Sequence, residues 1–335
     1  MAIRRLTSEW TARLLLTILV AGLFVAILAG RHAAQAVEVH AVMPERGGWL
    51  PGNLSAKVGV PLNLRLISDD VMHGFAVGRQ TWPAVDVRPG QVSELTLTFD
   101  EPGSYTFYCT RWCGPNHWRM RGTIDVTGEA SGPTVAESPE QPLYISLGLD
   151  IDAPHEVDVR FDQPPSAKRG EALDFSAPPR FRYRNVYLEQ PPYELQQALR
   201  VDPRMAELSD ADIWDLIAFL WQSQLTPSSV QLGQRLYAEN CSACHGEDGD
   251  GEGVIAPSNM ARNDTESVGG ALLPPSDFTD AQQMLGANTA LLQGKIIRGG
   301  MGTGMPYWGT IFTEEEIEAL VDYIWTFQFP MTAGE

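Results

Sequence analysis

One short stretch of the chain has the ligand types and spacing of a copper site. It reads Cys109-x3-Cys113-x3-His117-x2-Met120, so that two thiolates are followed by an imidazole and a thioether. Soft sulfur ligands and imidazole suit copper, and a weak axial methionine is typical of copper sites that carry electrons. The stretch therefore predicts a copper centre with two cysteine ligands.

Two cysteines, rather than one, allow a pair of copper ions that share both thiolates, each ion being completed by one histidine. The second histidine is predicted to be His73, which follows a predicted strand in SDDVMHGFAV. Met120 is then the weak ligand of one copper, and the backbone carbonyl of Arg111 caps the other. Sharing one electron over two metals keeps reorganisation small during transfer.

A second motif, Cys241-x2-Cys244-His245, is the attachment sequence of a c-type haem. The two cysteines would form thioethers with the haem, and His245 would be the proximal iron ligand. Met305, in the glycine-bracketed segment GTGMPYW, is the predicted distal ligand. Met301 and Met260 are alternatives. A copper centre and a covalent haem on one chain indicate electron transfer.

The composition limits the number of domains, the class of partner and the role of the cysteines. The chain has 335 residues, enough for two or three domains, and a net charge of -18, which disfavours nucleic acid as a partner. The two motifs use all four cysteines. Two disulfides in an exported protein are the alternative interpretation. It is disfavoured because each cysteine pair has a histidine at ligand spacing.

Residues 37–127 are predicted to form an all-β sandwich. Side chains alternate with period two in three runs, and Pro-Gly turns at Pro89-Gly90 and Pro102-Gly103 separate them. The runs are Leu62/Leu64/Leu66, Leu95/Leu97/Phe99 and Tyr105/Phe107/Cys109. Residues 128–143 are rich in Gly, Pro, Ser and Glu, which indicates a linker.

Residues 144–224 are harder to interpret. Strand-like alternation surrounds Val157, Val159 and Phe161, and an amphipathic helix capped by Ser209 and Asp212 ends the segment. A similar helix, capped at Thr313 and ending near Trp325, follows 104 residues later. Either the segment is a degenerate, haem-less copy of a cytochrome c-like domain, or the two helices are alike only because both are amphipathic.

Residues 225–335 are predicted to be helical with glycine-rich loops. One helix leads into Cys241, and others lie near 279–286, 289–298 and 313–327.

The copper region resembles a known family. The segments ISDDVMHGFAV, PGQVSELTLTF and YCTRWCGPNHWRMRGTIDV are similar to the dinuclear-copper (CuA) domain of cytochrome c oxidase subunit II, over roughly residues 45–127. The resemblance implies a cupredoxin fold. Many family members have glutamate at the position of Arg111, where it helps to hold magnesium. Arginine cannot bind a cation, so no magnesium site is expected.

The region of about 228–328 resembles class I cytochrome c domains, and fusion of such a domain to a CuA subunit is known in this family. The predicted fold is therefore multidomain: a transmembrane helix, an all-β cupredoxin sandwich and an all-α cytochrome c domain. Tethering holds the two cofactors at roughly millimolar effective concentration.

The N-terminal segment is predicted to be a membrane anchor. Leu14–Gly30 contains no charged residue over 17 positions, and Arg4, Arg5 and Arg13 precede it. Residues 1–36 are then a cytoplasmic tail and a single span, of the one-helix type of subunit II, with the later domains outside the cytoplasm. A cleaved signal peptide, with Ala34-Gln35-Ala36 as the cleavage site, is the alternative.

Charge is unevenly distributed. From Thr226 onward there are 4 basic and 15 acidic residues, whereas Arg111, Arg119 and Arg121 cluster on the copper loop. One hypothesis is that the acidic haem domain docks on this basic rim, in which case salt should slow transfer. The competing interpretation is that these arginines face subunit I.

The predicted function is that of electron-transfer subunit II in a haem–copper terminal oxidase, with subunit I as the partner that reduces oxygen. A cationic donor, such as cytochrome c or a small copper protein, is the expected external partner. The alternatives are the CuA subunit of a nitric oxide reductase and an exported copper-delivery protein. Nitrous oxide reductase is disfavoured because the chain has too few histidines for its catalytic copper domain.

Overall fold

The computed structural model describes residues 17, 36–114, 116–130, 141–173, 179–256, 274–300 and 304–331. The predicted anchor apart from residue 17, most of the linker and the alternative haem ligands Met260 and Met301 lie outside these residues. Among the described residues, no helix has both the length and the apolar character needed to span a bilayer.

Residues 37–127 form two packed β-sheets, as predicted. The strands are β1 Val37–Ala41, β2 Trp49–Leu50, β3 Asn53–Lys57, β4 Leu62–Ser68, β5 His73–Val77, β6 Val85–Val87, β7 Val92–Leu97, β8 Gly103–Cys109 and β9 Arg121–Thr127. One sheet has the order β2-β1-β4-β7 and the other has the order β3-β9-β8-β5-β6. Two pairs, β1 with β4 and β3 with β9, are parallel.

The alternating apolar residues face the space between the two sheets. Strand β4 is a clear case, because Leu62, Leu64 and Leu66 are buried while the residues between them are half-exposed. Phe75 and Phe107 stack at 5.2 Å in the middle of this core. The core extends to Cys109, Cys113 and Met120, so the copper loop is anchored in the sandwich itself.

The rest of the chain is helical. The helices are α1 Leu143–Ser146, α2 Ala167–Ala172, α3 Arg184–Glu189, α4 Pro192–Arg200, α5 Asp210–Gln222, α6 Pro227–Asn240, α7 Ser242–His245, α8 Ala281–Met284, α9 Thr289–Arg298 and α10 Glu314–Trp325. The strand expected around Val157 is wrong: residues 154–161 are irregular, and the backbone N–H of Val157 donates to the Gln282 carbonyl at 2.9 Å. Its alternating apolar side chains pack onto helices instead.

Both capped helices are present. In α5, Ser209 and Asp212 form a capping box, and in α10, Thr313 and Glu316 do the same. Each helix is crossed closely by a glycine of an earlier helix. A Cβ on Gly170 of α2 would lie 2.0 Å from the Asp215 carbonyl oxygen, and one on Gly233 of α6 would lie 1.9 Å from that of Ala319. Asp215 and Ala319 are 104 residues apart, the spacing of the predicted repeat.

The two helical segments share one continuous core. Trp221 of α5 packs edge-on against Trp325 of α10, with ring centroids 5.9 Å apart. Asp322 is buried between them and accepts hydrogen bonds of 2.6 Å from the hydroxyls of Tyr187 and Ser229. Burial raises the pKa of Asp322. Residues 144–224 are therefore packed into the haem region and do not form a separate body.

Candidate metal centre and haem site

The copper ligands predicted from sequence lie at one end of the β-sandwich. His73 begins β5 and Cys109 ends the neighbouring antiparallel strand β8. The loop from 110 to 120 then folds back, and the backbone N–H of Cys109 donates to the Met120 carbonyl at 3.1 Å, closing the base of the loop. Sheet pairing thus brings residues 36 positions apart to one place.

The structure brings together all six predicted donors. The two sulfurs, Cys109 Sγ and Cys113 Sγ, lie 3.9 Å apart. His73, Cys109 and Cys113 place their ligand atoms within 4.8 Å of one another. The remaining donors flank the sulfurs: His73 Nδ1 is 3.9 Å and the Arg111 carbonyl oxygen 3.2 Å from Cys109 Sγ, while His117 Nδ1 is 3.5 Å and Met120 Sδ 3.8 Å from Cys113 Sγ.

The two thiols behave as one buried acid. A hydrogen bond from Cys113, with further bonds from the histidines, lowers the pKa of Cys109 to about 3. The same contact with the Cys109 thiolate, together with burial, raises the pKa of Cys113. One negative charge is therefore favoured, and a second requires added positive charge. Bound copper ions would supply that charge, so the donor set fits a dinuclear copper centre.

His73 is held in the orientation that a metal ligand needs. Its Nε2 is 2.8 Å from Asp70 Oδ1, which leaves Nδ1 facing Cys109. Burial lowers the pKa of His73, but hydrogen bonds with Cys109 and Asp70 outweigh burial and the net pKa is raised. Sequence reasoning did not identify Asp70, although a carboxylate three residues before a ligand histidine was visible in SDDVMH.

Replacing Asp70 with asparagine is expected to weaken copper binding about tenfold or more, because outer carboxylates that orient a ligand histidine typically contribute 10–100-fold in metal affinity. A competition titration with a copper chelator measures the change. Asp69→Asn is the matched control, since the Asp69 carboxylate pairs with His40 instead at 2.9 Å. Equal affinities for the two variants would contradict the orienting role.

The side chain of Arg111 turns away from the metal ligands. Its Nε donates to Asp86 Oδ1 at 2.9 Å, while its carbonyl stays beside Cys109.

Two tryptophans near the predicted copper ligands differ in their exposure to solvent. Trp49 is buried, and its indole N–H donates to the Met120 carbonyl at 3.2 Å, so it is a packing residue. Trp112 is 46% exposed, and its ring centroid lies 5.8 Å from that of His117.

The haem motif lies where α6 ends. Cys241 follows α6, and Cys244 and His245 belong to the single turn α7, whose N–H groups return to the Cys241 carbonyl. All four cysteines are free thiols in the structure. Burial raises the pKa of Cys241 to about 12, so this thiol is protonated before haem attachment.

His245 is prepared as a neutral ligand. Nδ1 lies 3.1 Å from the Ser276 carbonyl, and the ring stacks on Phe278 with centroids 4.6 Å apart. Burial lowers its pKa, which favours the neutral imidazole that iron binds. With Nδ1–H held by a carbonyl, Nε2 is the nitrogen left for iron. These residues fit haem attachment; Ser276 and Phe278 carried no recognisable signal in the sequence.

Met305 lies in the loop before α10, half-buried against the helical core. The Gly300 N–H donates to its carbonyl at 3.2 Å, which joins this loop to the end of α9. Its role as the distal ligand stays a prediction.

The loop carrying Met305 contacts the β-sandwich. Nη1 of Arg121 donates to the Tyr307 carbonyl at 2.7 Å, and its guanidinium lies 4.9 Å and 5.2 Å from the ring centroids of Tyr307 and Trp308. Arg121, one of the three clustered arginines, thus contacts the haem region, and its partners there are a carbonyl and two aromatic rings. Arg111 pairs within its own domain, and the salt dependence of transfer stays a prediction.

Two family models match the chain. Residues 53–127 match the periplasmic domain of cytochrome c oxidase subunit II, and residues 230–328 match cytochrome c. The matches agree with the β-sandwich and with the helical haem region, and they imply a CuA centre and a haem c.

Two relatives from Thermus thermophilus are described as cytochrome c oxidase subunit 2. Each is 39% identical over 79 residues, which is 24% of this chain and 58% or 46% of the relative. The chain thus spans about half the length of these curated relatives. A solved haem–copper terminal oxidase dimer contains a chain that is 23% identical, with a TM-score of 0.24, covering 36% of this chain and 99% of that one.

Proposed function

We propose that this chain is the electron-transfer subunit II of a haem–copper terminal oxidase. It accepts electrons at its cytochrome c region and delivers them from its copper region to subunit I, where oxygen is reduced. The observation that carries this proposal is the pair of buried thiols 3.9 Å apart, flanked by two histidines, a thioether and a carbonyl. Two sulfurs alone would suit a single cuprous ion, but a histidine beside each sulfur, with a thioether and a carbonyl in addition, is a larger donor set than one such ion uses.

Haem c and the copper pair, when bound, each supply a one-electron carrier. The chain holds the haem through Cys241, Cys244 and His245, with Met305 as the proposed distal ligand. Methionine–histidine ligation raises the reduction potential of a haem, which suits donation to a terminal oxidase. The copper region holds its metals through the six donors described above. Their anchoring in the sandwich core keeps them rigid, so little reorganisation accompanies transfer.

The proposed location is a membrane complex with both cofactor regions on the periplasmic or outer face. The similarity to a periplasmic domain supports this side of the membrane. We propose residues 14–30 as the single anchor, on the strength of their apolar, uncharged composition. The proposed partners are subunit I and, as donor, a cationic electron carrier.

We also propose that residues 144–224 are a haem-less copy of the cytochrome c-like fold. The support is two close helix crossings, each made at a glycine. The two residues that these glycines approach, Asp215 and Ala319, are 104 residues apart. Counting from the crossing glycine, the position of His245 corresponds to Arg182. Phe181, Leu195, Leu199 and Met205 are buried in the core that this segment shares with the haem region. At the position that corresponds to His245 the segment thus has an arginine, which is not a haem ligand.

The proposed function is tested on the purified oxidase complex containing this chain. Reduced donor is mixed with it under oxygen and, separately, under nitric oxide, while haem c and copper absorption are followed. We expect haem c to be reduced before copper, with turnover on oxygen. Turnover on nitric oxide alone would assign the chain to a nitric oxide reductase, and a single cuprous ion without a mixed-valence spectrum would assign it to copper delivery. Met305→Ala should leave the haem high-spin.

A further inference from the structure

The seam between the β-sandwich and the helical region is made by backbone contacts and by two arginines, Arg79 and Arg121. Arg79, just after β5, donates its backbone N–H to the Ile311 carbonyl at 2.7 Å, and its side chain donates to the Gly309 carbonyl. A Cβ on Gly78 would lie 2.6 Å from Ile311 Cα and 2.7 Å from the Thr310 carbonyl oxygen. Arg79 itself has φ +58°, a left-handed conformation that residues with a Cβ adopt uncommonly.

Arg121 completes the seam from the neighbouring strand. It directly follows Met120, and its guanidinium is enclosed by the Tyr307 and Trp308 rings while Nη1 bonds to the Tyr307 carbonyl. Nη2 is buried and has no acceptor among the described residues. Tyr108, paired with Arg121 across β8 and β9, packs against the helical core beside it. Such enclosure indicates a fixed contact, because a transient one leaves an arginine hydrated.

We infer that Arg121 is a positioning residue that fixes the loop of Met305 against the strand following Met120. This inference rests on the proposed function, since the two methionines are the proposed sulfur ligands of haem and copper. Arg121 is one residue from the first methionine, and Tyr307 is two residues from the second. The two cofactor regions are then held in one arrangement, and no docking step has to precede electron transfer between them.

Two variants of the full chain weaken the seam at different places. Arg121→Gln removes the enclosed guanidinium, and Gly78→Ala inserts a methyl group between backbones without touching a copper ligand. Arg119→Gln is the matched control, because it removes the same charge from an exposed residue two positions away. Arg121→Lys keeps the charge but not the planar group that stacks on rings.

The first measurement does not depend on electron transfer or on either cofactor. Amide hydrogen exchange at Arg79 and at residues 309–312 is expected to become about tenfold faster in Arg121→Gln and Gly78→Ala, which corresponds to about 1.4 kcal/mol. Arg119→Gln should exchange like the unaltered chain, and Arg121→Lys like Arg121→Gln. Unchanged exchange in both Arg121→Gln and Gly78→Ala, or full restoration by lysine, would overturn the inference.

The second measurement is electron equilibration between haem and copper after photoreduction. Electron transfer slows as the distance between the two carriers grows, so we expect slower equilibration in Arg121→Gln and Gly78→Ala than in Arg119→Gln. The haem and copper spectra should be unchanged. Normal rates in both variants would overturn the inference while leaving the proposed function intact. Loss of either spectrum in the unaltered chain would instead defeat the proposed function.

Discussion

Replacing Cys113 with serine is expected to abolish the copper pair while leaving the haem c spectrum unchanged. A serine hydroxyl is close in size but cannot bridge two coppers, and it removes the sulfur that lies beside both His117 and Met120. Copper analysis and electron paramagnetic resonance measure the outcome: the delocalised mixed-valence signal should disappear, and electron delivery to subunit I should fall below detection. Cys109→Ser should behave in the same way.

The control for this substitution is Trp112→Phe, which alters the same loop one residue away without removing a copper donor. It should retain the mixed-valence signal. Because serine and cysteine have similar volumes, the metal-free sandwich should keep its melting temperature in Cys113→Ser. A mixed-valence signal that survives in Cys113→Ser would show that the two sulfurs do not hold one shared centre.

Replacing Gly233 with alanine is expected to be among the most destabilising single-methyl changes in the chain. The new Cβ would lie 1.9 Å from the Ala319 carbonyl oxygen, so α6 and α10 must separate. Overpacking typically lowers the free energy of unfolding by about 1–3 kcal/mol. Because the clash here is with backbone, which can move less than a side chain, we expect a loss of about 3 kcal/mol. Alanine regains up to about 1 kcal/mol of helix propensity. The net loss should lower the melting temperature by roughly 4–8 °C, measured by circular dichroism.

Gln234→Ala supplies the matched control, since it places alanine at the next, exposed position of the same helix. Its melting temperature should not fall. Gly170→Ala tests the proposed haem-less copy: its Cβ would lie 2.0 Å from the Asp215 carbonyl, so it should destabilise the chain comparably without lowering the haem content. A melting temperature for Gly233→Ala equal to that of Gln234→Ala would show that the helices separate at no cost.

The site was predictable because its chemistry is concentrated in short motifs. Five of the proposed copper donors lie within twelve residues, and CxxCH is contiguous, so spacing alone was enough to predict them. His73 needed a second observation, its position after a predicted strand. Asp70 was missed because acidic residues are common near turns. Ser276 was missed because its backbone carbonyl is the acceptor, and any residue type can supply a backbone carbonyl.

The fold was predictable wherever one face of an element is buried. Alternation identified β4, β7 and β8, and the capping boxes identified α5 and α10. Alternation failed around Val157, because an irregular segment that packs onto helices also buries every second side chain. The contacts of Arg121 with the helical region could not be predicted from the sequence, for another reason. Net charge suggested ionic docking, whereas the contact depends on aromatic rings and carbonyls, which net charge does not describe.

The packing of Trp221 limits how far this chain can be shortened. Its ring is surrounded by Tyr187, Trp325 and Phe329, so the segment 144–224 packs directly against the last helix of the haem region. Deleting that segment would expose an indole surface and leave the Asp322 carboxylate without the Tyr187 hydroxyl. The described residues of this segment therefore contribute packing on which the neighbouring helices depend, and the two segments should unfold together.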